Sequence, residues 1–161
     1  MREVTGTPGE AAMDPSQPNK VEFASSAWFE AIEDIMKRCL EGVNLGNKTI
    51  TISEEFTAPP SHLLRPGERT IGWHFQIADE GVTVSRWPVA DADLSSTVDY
   101  ADALPVARLI YENTPEGIEE TRKLREAAER SGHRQGDIAS LPPDLLQRLF
   151  LVHNEIAIRT S

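Results

Sequence analysis

Six acidic residues, Asp79, Glu80, Asp91, Asp93, Asp99 and Asp102, crowd one stretch of the chain that is opposed locally only by Arg86. Clustered carboxylates can hold a hard cation, which takes several oxygen ligands, or divide acid and base work between them. The local signals favour a structural role. Asp79 lies in an Asp-Glu-Gly turn, Asp99 at a helix start and Asp91 beside the start of a strand, all positions where Asp accepts nearby backbone hydrogen bonds. Asp91 and Asp93 share one side of a strand, without a third ligand at a readable spacing. His62, His74, His133 and His153 are scattered, with no His-Glu-x-x-His pair, so no metal site is expected. His74 stands opposite the Trp73 and Phe75 side of its strand, a base if that side is enclosed and a solvated residue if it is open. His153 reads as a cap on carbonyls near a helix end or a contact to a partner strand. Cys39 falls on an apolar helical stripe, where a thiol behaves as a small hydrophobe. Gly-x-Ser-x-Gly, P-loop and Gly-x-Gly-x-x-Gly patterns are all missing, so neither a catalytic constellation nor a cofactor is expected.

The elements that would position these residues belong to one domain. The chain has 161 residues, 39% of them hydrophobic and 26% charged, enough for a single core and too few for two ordinary domains. A formal net charge of -10 opposes attraction to phosphate backbones and anionic lipid surfaces, so no nucleic-acid partner is expected. No apolar run reaches the roughly 18 to 20 residues of a membrane span, and the first residues carry no signal-peptide core. The expectation is a cytoplasmic protein without stable membrane insertion.

Residues 1–20 combine Pro and Gly with few large apolar side chains and read as a flexible tail. From Ser25 or Ser26, either of which supplies an N-cap oxygen, Trp28, Ile32, Ile35, Met36, Cys39, Leu40 and Val43 mark one face of a helix. Ile50, Ile52 and Phe56, with a polar position at Glu54 between them, mark a strand with one covered face. A Pro-rich loop from Ala58 to Gly67 follows. Ile71, Trp73, Phe75 and Ile77, the turn Asp79-Glu80-Gly81, then Val82, Val84 and Arg86 describe a β-hairpin. A fourth strand is expected over about Ala92–Val98, with Leu94, Ser96 and Val98 on one face. All four strands are read as antiparallel.

Asp99 caps a turn of helix over Tyr100–Leu104, with Pro105 near the start of the next stretch. A charged helix from about Glu116 to Ser131 has Glu119 paired to Lys123 and Glu126 to Arg130, with Ile118, Leu124 and Ala128 as a thin inner stripe. Gly132 ends it. Pro142-Pro143 opens a last helix whose apolar face carries Leu145, Leu149, Val152 and Ile156, with Leu146, Phe150 and Ala157 close by.

This order, with the hairpin Trp73-His74-Phe75-Gln76-Ile77 to Val84, the stretch Ala90-Asp91-Ala92-Asp93-Leu94-Ser95-Ser96-Thr97-Val98-Asp99-Tyr100, and Gly136-Asp137-Ile138 with Leu141-Pro142-Pro143-Asp144-Leu145, resembles the sterol carrier protein 2-like (SCP2-like) family of lipid-binding domains. The resemblance covers about Val21 to the end. It implies a single α+β domain over 21–161, an antiparallel β-sheet covered by helices on one face, sheltering an apolar tunnel for a sterol, fatty acyl chain or similar lipid. Two departures stand out: the charged helix near Glu116–Arg130 replaces a shorter connection, and the chain ends without the peroxisomal Ser-Lys-Leu signal.

The leading expectation is therefore non-catalytic binding or transfer of a hydrophobic small molecule, with Trp28, Ile32, Trp73, Phe75, Leu149 and Phe150 as candidate pocket wall. The same apolar residues serve equally as plain core. Two other readings stay open. One is a small cone-shaped α+β enzyme acting on a hydrophobic substrate, its acid–base pair drawn from Asp91, Asp93, Asp99, Asp102 and His74. The other is a module that docks an amphipathic helix on a protein partner or on a second copy of itself.

Overall fold

The structure, a computed structural model, describes residues 19–161. The tail expected over 1–20 thus lies outside the described residues up to position 18. Helix α1 (Ser26–Cys39) is followed by β1 (Ile50–Thr57), β2 (Ile71–Ala78), β3 (Gly81–Ser85), β4 (Leu94–Asp99), α2 (Tyr100–Arg108), α3 (Pro115–Ser131), β5 (His133–Gln135) and α4 (Pro143–Arg159). Buried apolar side chains from helices and sheet form a shared core.

Helix α1 begins where Ser25 Oγ accepts the Trp28 backbone N–H at 3.2 Å and buries Trp28, Phe29, Ile32, Ile35 and Met36. It packs along α4, where Cys39 donates its thiol hydrogen to Glu155 Oε2 at 3.2 Å and burial pushes the thiol pKa up. The start and end of the described chain are joined: Val21 N–H donates to the Arg159 carbonyl at 2.7 Å, and Ser161 N–H to the Val21 carbonyl at 2.9 Å. Beneath that join Trp28 Nε1 donates to Thr160 Oγ1 at 3.0 Å.

The α+β class and the helices gathered on one sheet face match the sequence expectation. The sheet differs in two respects. Its order is β3-β2-β1-β4-β5, and β1 runs parallel to β4 while its other neighbour, β2, is antiparallel. A period-two pattern identifies the covered face of a strand but not the direction of its neighbour, which depends on where the connection crosses. The connection from β3 to β4 crosses the opposite face of the sheet, where Val89 N–H donates to the buried Ser53 Oγ at 3.0 Å. Asp93 then locks onto β1, its carboxylate accepting Thr51 N–H at 2.7 Å and its own N–H reaching the Thr51 carbonyl at 2.9 Å.

The second difference is β5, a three-residue strand antiparallel to β4 where the sequence showed only the end of a helix. A Cβ on Gly132 would stand 2.1 Å from the Thr97 carbonyl oxygen, so only glycine lets the chain approach β4 this closely. Gly136, at φ +88, releases it on the other side.

The helices after β4 also depart in detail. Asp99 accepts the Ala101 N–H at 3.0 Å as expected, but α2 continues through Pro105 to Arg108. In α3 the ion pairs centre on Arg122, which reaches Glu119 at 2.6 Å and Glu126 at 2.7 Å, rather than linking Glu119 to Lys123 and Glu126 to Arg130. Arg122 sits within one turn of both acids, and its guanidinium has a donor for each. Ile118 is 57% exposed and does not join the inner stripe; the α3 residues that face the cavity between helices and sheet are Arg125, Ala128 and Glu129.

Candidate functional site

Between the sheet and the helices lies a cavity of about 580 Å³. Its floor follows from strand register. Trp73 on β2 pairs with Glu54 on β1, Glu54 with Ser96 on β4, and Ser96 with Arg134 on β5. All four line the cavity, forming one polar row across a floor that is otherwise apolar. Two residues away along the strands the floor carries Phe75 and Ile52 on one side, Phe56 and Val98 on the other. Helix α1 adds Trp28, Ile32 and Met36, α2 adds Ala103, Val106 and Ala107, and α4 adds Leu149, Phe150, Val152 and Ile156. The end formed by α3 and β5 is polar, with Arg125, Glu129, His133 and Arg134.

The six wall candidates, Trp28, Ile32, Trp73, Phe75, Leu149 and Phe150, all stand in this lining. Trp73 is the hub of the aromatic end, with ring centroids 5.9 Å from Trp28, 5.5 Å from Phe29 and 5.0 Å from Phe75. Phe150, 46% exposed, marks the rim and meets Tyr111 edge-on at 5.8 Å.

Glu54 is the residue sequence reasoning passed over. Its Oε1 accepts the Trp73 Nε1–H at 2.9 Å, and burial holds its carboxyl above the usual carboxylate range, the Trp73 hydrogen bond and the Arg134 charge offsetting this only in part. The residue is half-buried and lines the cavity. The signal was present: an acid at an inward position of an alternating strand, between Ile52 and Phe56, has to face the covered side.

His153 also lines the cavity. Its Nε2 lies 2.8 Å from the Leu109 carbonyl and so carries the proton, and its ring stacks flat on Tyr111 at 3.8 Å. Burial lowers its pKa to about 4, which leaves the imidazole neutral near pH 7. Arg125 Nη2 donates to the Tyr111 hydroxyl at 3.1 Å. The carbonyl contact expected for His153 is thus present, with the carbonyl of Leu109, the C-cap residue of α2, as partner.

The acids and His74 offered as an acid–base pair do not converge. None of Asp91, Asp93, Asp99, Asp102 or His74 lines the cavity. Asp93 holds the start of β4, Asp99 caps α2, and His74 Nδ1 meets the Trp87 carbonyl at 2.6 Å. Asp79 accepts the Leu45 and Asn47 N–H groups, tying the hairpin turn to the loop after α1. Among the described residues no group of three or more His, Cys, Asp or Glu is placed to hold a metal ion. What the cavity offers chemically is an apolar envelope with a few fixed hydrogen-bonding groups.

No family model and no curated protein matches the chain. Among solved structures it is similar to sterol carrier protein 2, at 11% identity and a TM-score of 0.49 over 87% of this chain and 100% of that one. It is also similar to a conserved hypothetical protein of Thermus thermophilus described as a candidate sterol carrier protein, at 15% identity and a TM-score of 0.47 over 90% and 95% of the two chains. A third is the UbiJ-SCP2 ubiquinone synthesis protein, at 15% identity and a TM-score of 0.36 over 81% and 80%.

Proposed function

We propose that this chain binds a hydrophobic small molecule of lipid type, a sterol, a fatty acyl chain or a similar compound, in the cavity between sheet and helices, and carries it without chemical change. The supporting observation is the cavity itself: its volume of about 580 Å³ falls among ordinary small-molecule sites, which are mostly apolar with a few placed polar groups. Affinity comes from removing ligand hydrocarbon from water, worth about 25 cal/mol per Å² before ordering costs are subtracted. A cytoplasmic setting is part of the same proposal; no described helix is long and apolar enough to cross a membrane.

Native mass spectrometry of freshly purified protein, followed by organic extraction, tests this. A lipid bound near one to one is the expected result. An empty protein that also fails to take up a fluorescent fatty acid overturns it. An Ala107→Phe variant, which fills the cavity from the α2 side, is expected to keep its fold and lose uptake.

A second reading is supported by Phe150, Leu151 and Ile158, which expose 46%, 59% and 46% of their surface along α4. Such a face suits a protein partner or a second copy of the chain. A monomer in sedimentation at every concentration tested, with no dye binding to exposed apolar surface, sets that reading aside.

A further inference from the structure

We infer that Glu54 and Ser96, neighbours in the polar row across the cavity floor, form a subsite for a hydroxyl group of the bound lipid, so that the cavity takes an alcohol in preference to the matching hydrocarbon or ether. The inference deepens the lipid-binding reading and rests on it. In the row Trp73, Glu54, Ser96, Arg134, the two outer residues are already engaged. Trp73 spends its N–H on Glu54 Oε1 at 2.9 Å, and Arg134 lies 3.6 Å from Glu129 in an ion pair at the rim. Glu54 Oε2 and Ser96 Oγ have no hydrogen-bond partner among the described residues, and both residues line the cavity. Adjacent strands bring them about 5 Å apart on the same face, a separation one ligand oxygen can bridge.

The chemistry selects the group. A hydrocarbon lying over the row covers two polar atoms and leaves them without partners, and a covered polar group with no hydrogen bond is costly. A ligand carboxylate placed there offers acceptors only and opposes Glu54 when that carboxyl is ionised, and an ammonium offers donors only and has no lone pair for the Glu54 proton when the carboxyl is neutral. A hydroxyl donates and accepts, so it satisfies Glu54 whether that carboxyl is ionised or holds its proton, and it satisfies the Ser96 hydroxyl in the same geometry. Burial raises the Glu54 pKa, which makes this tolerance of both states useful. The apolar rows on either side, Phe75 with Ile52 and Phe56 with Val98, leave room for ring or chain hydrocarbon around the oxygen.

Dodecanol, dodecyl methyl ether and dodecane serve as matched probes, followed by the fluorescence of Trp28 and Trp73 in the cavity wall and by calorimetric titration. The expected result is that dodecanol binds about tenfold more tightly than the ether and the alkane. In a Glu54→Leu, Ser96→Ala double variant the three affinities should draw to within about twofold, while alkane binding is kept or improved. Glu54→Gln, whose amide still accepts from Trp73 and still offers a donor, should keep most of the preference and guards against a misfolded double variant. Equal binding of alcohol and ether by the native chain, or a preference that survives the double variant, overturns the hydroxyl subsite alone. Failure of all three probes to bind overturns the cavity reading and the subsite with it.

Discussion

At the scale of single residues, a carboxyl group among aromatic rings is costly to ionise. Glu54 has a pKa raised above the carboxylate range, burial being the largest cause. Between the unfolded and folded pKa the native state holds more protons than the unfolded chain, so this group makes stability fall as pH rises through that window. Glu54→Gln keeps the acceptor for Trp73 and removes the titration. It should raise the melting temperature at neutral pH, with the advantage shrinking as pH drops toward the unfolded carboxylate pKa; thermal melts across a pH series check this. His153 has the opposite sign. Its pKa falls from 6.5 to about 4 in the folded chain, so the stability it permits is intact above 6.5 and is lost as pH falls toward 4. The loss amounts to roughly 3 kcal/mol by the shift alone. His153→Gln, which still donates to Leu109, should flatten this part of the profile in denaturant titrations repeated between those pH values.

At the scale of elements, α1 was legible in the sequence because a helix with one apolar face repeats its signal over several turns, and the Ser25 cap adds a second, independent one. β5 was not, because three polar residues, His133, Arg134 and Gln135, show no alternation. Its place is set by two glycines and by the edge that β4 leaves open. Gly132→Ala would drive a methyl group into the Thr97 carbonyl, so the variant should lose about 1 to 3 kcal/mol and show faster amide exchange across His133–Gln135. Helix α3, which closes the polar end of the cavity, starts at Thr114, whose Oγ1 accepts the Gly117 N–H at 3.0 Å. Thr114→Ala should cost about 1 kcal/mol by loss of that cap, measured by chemical denaturation, and fray the end of the helix remote from Arg125.

For the whole molecule, the net charge of -10 sets how the chain meets a bilayer. Vesicles enriched in anionic lipid should bind it more weakly than zwitterionic ones, and the difference should fade as salt rises, because repulsion between like charges is screened. Co-sedimentation with vesicles of the two compositions at low and high salt reads this directly. The same scale explains why the cavity exists. Helices α1, α2, α3 and α4 all contribute lining residues above the β1, β2 and β4 floor, and Arg125 of α3 and His153 of α4 both meet Tyr111, so that the helical layer spans the floor without filling it.

The sequence by itself determined which faces are covered. Local periodicity and capping chemistry are written residue by residue, so the α1 stripe, the hairpin, the Asp99 cap and the inward set Trp73, Phe75 and Ile77 could all be read, along with the apolar residues that ended in the cavity wall. Only the tertiary structure decided the direction of β1 against β4, the addition of β5 and the alignment of Trp73, Glu54, Ser96 and Arg134 into one row. Those features depend on which distant segments pair and in what register, and an isolated strand pattern carries no information about either. A polar residue between two apolar ones, Glu54, showed that something polar had to face inward; the strands packed on either side of it determined what it faces.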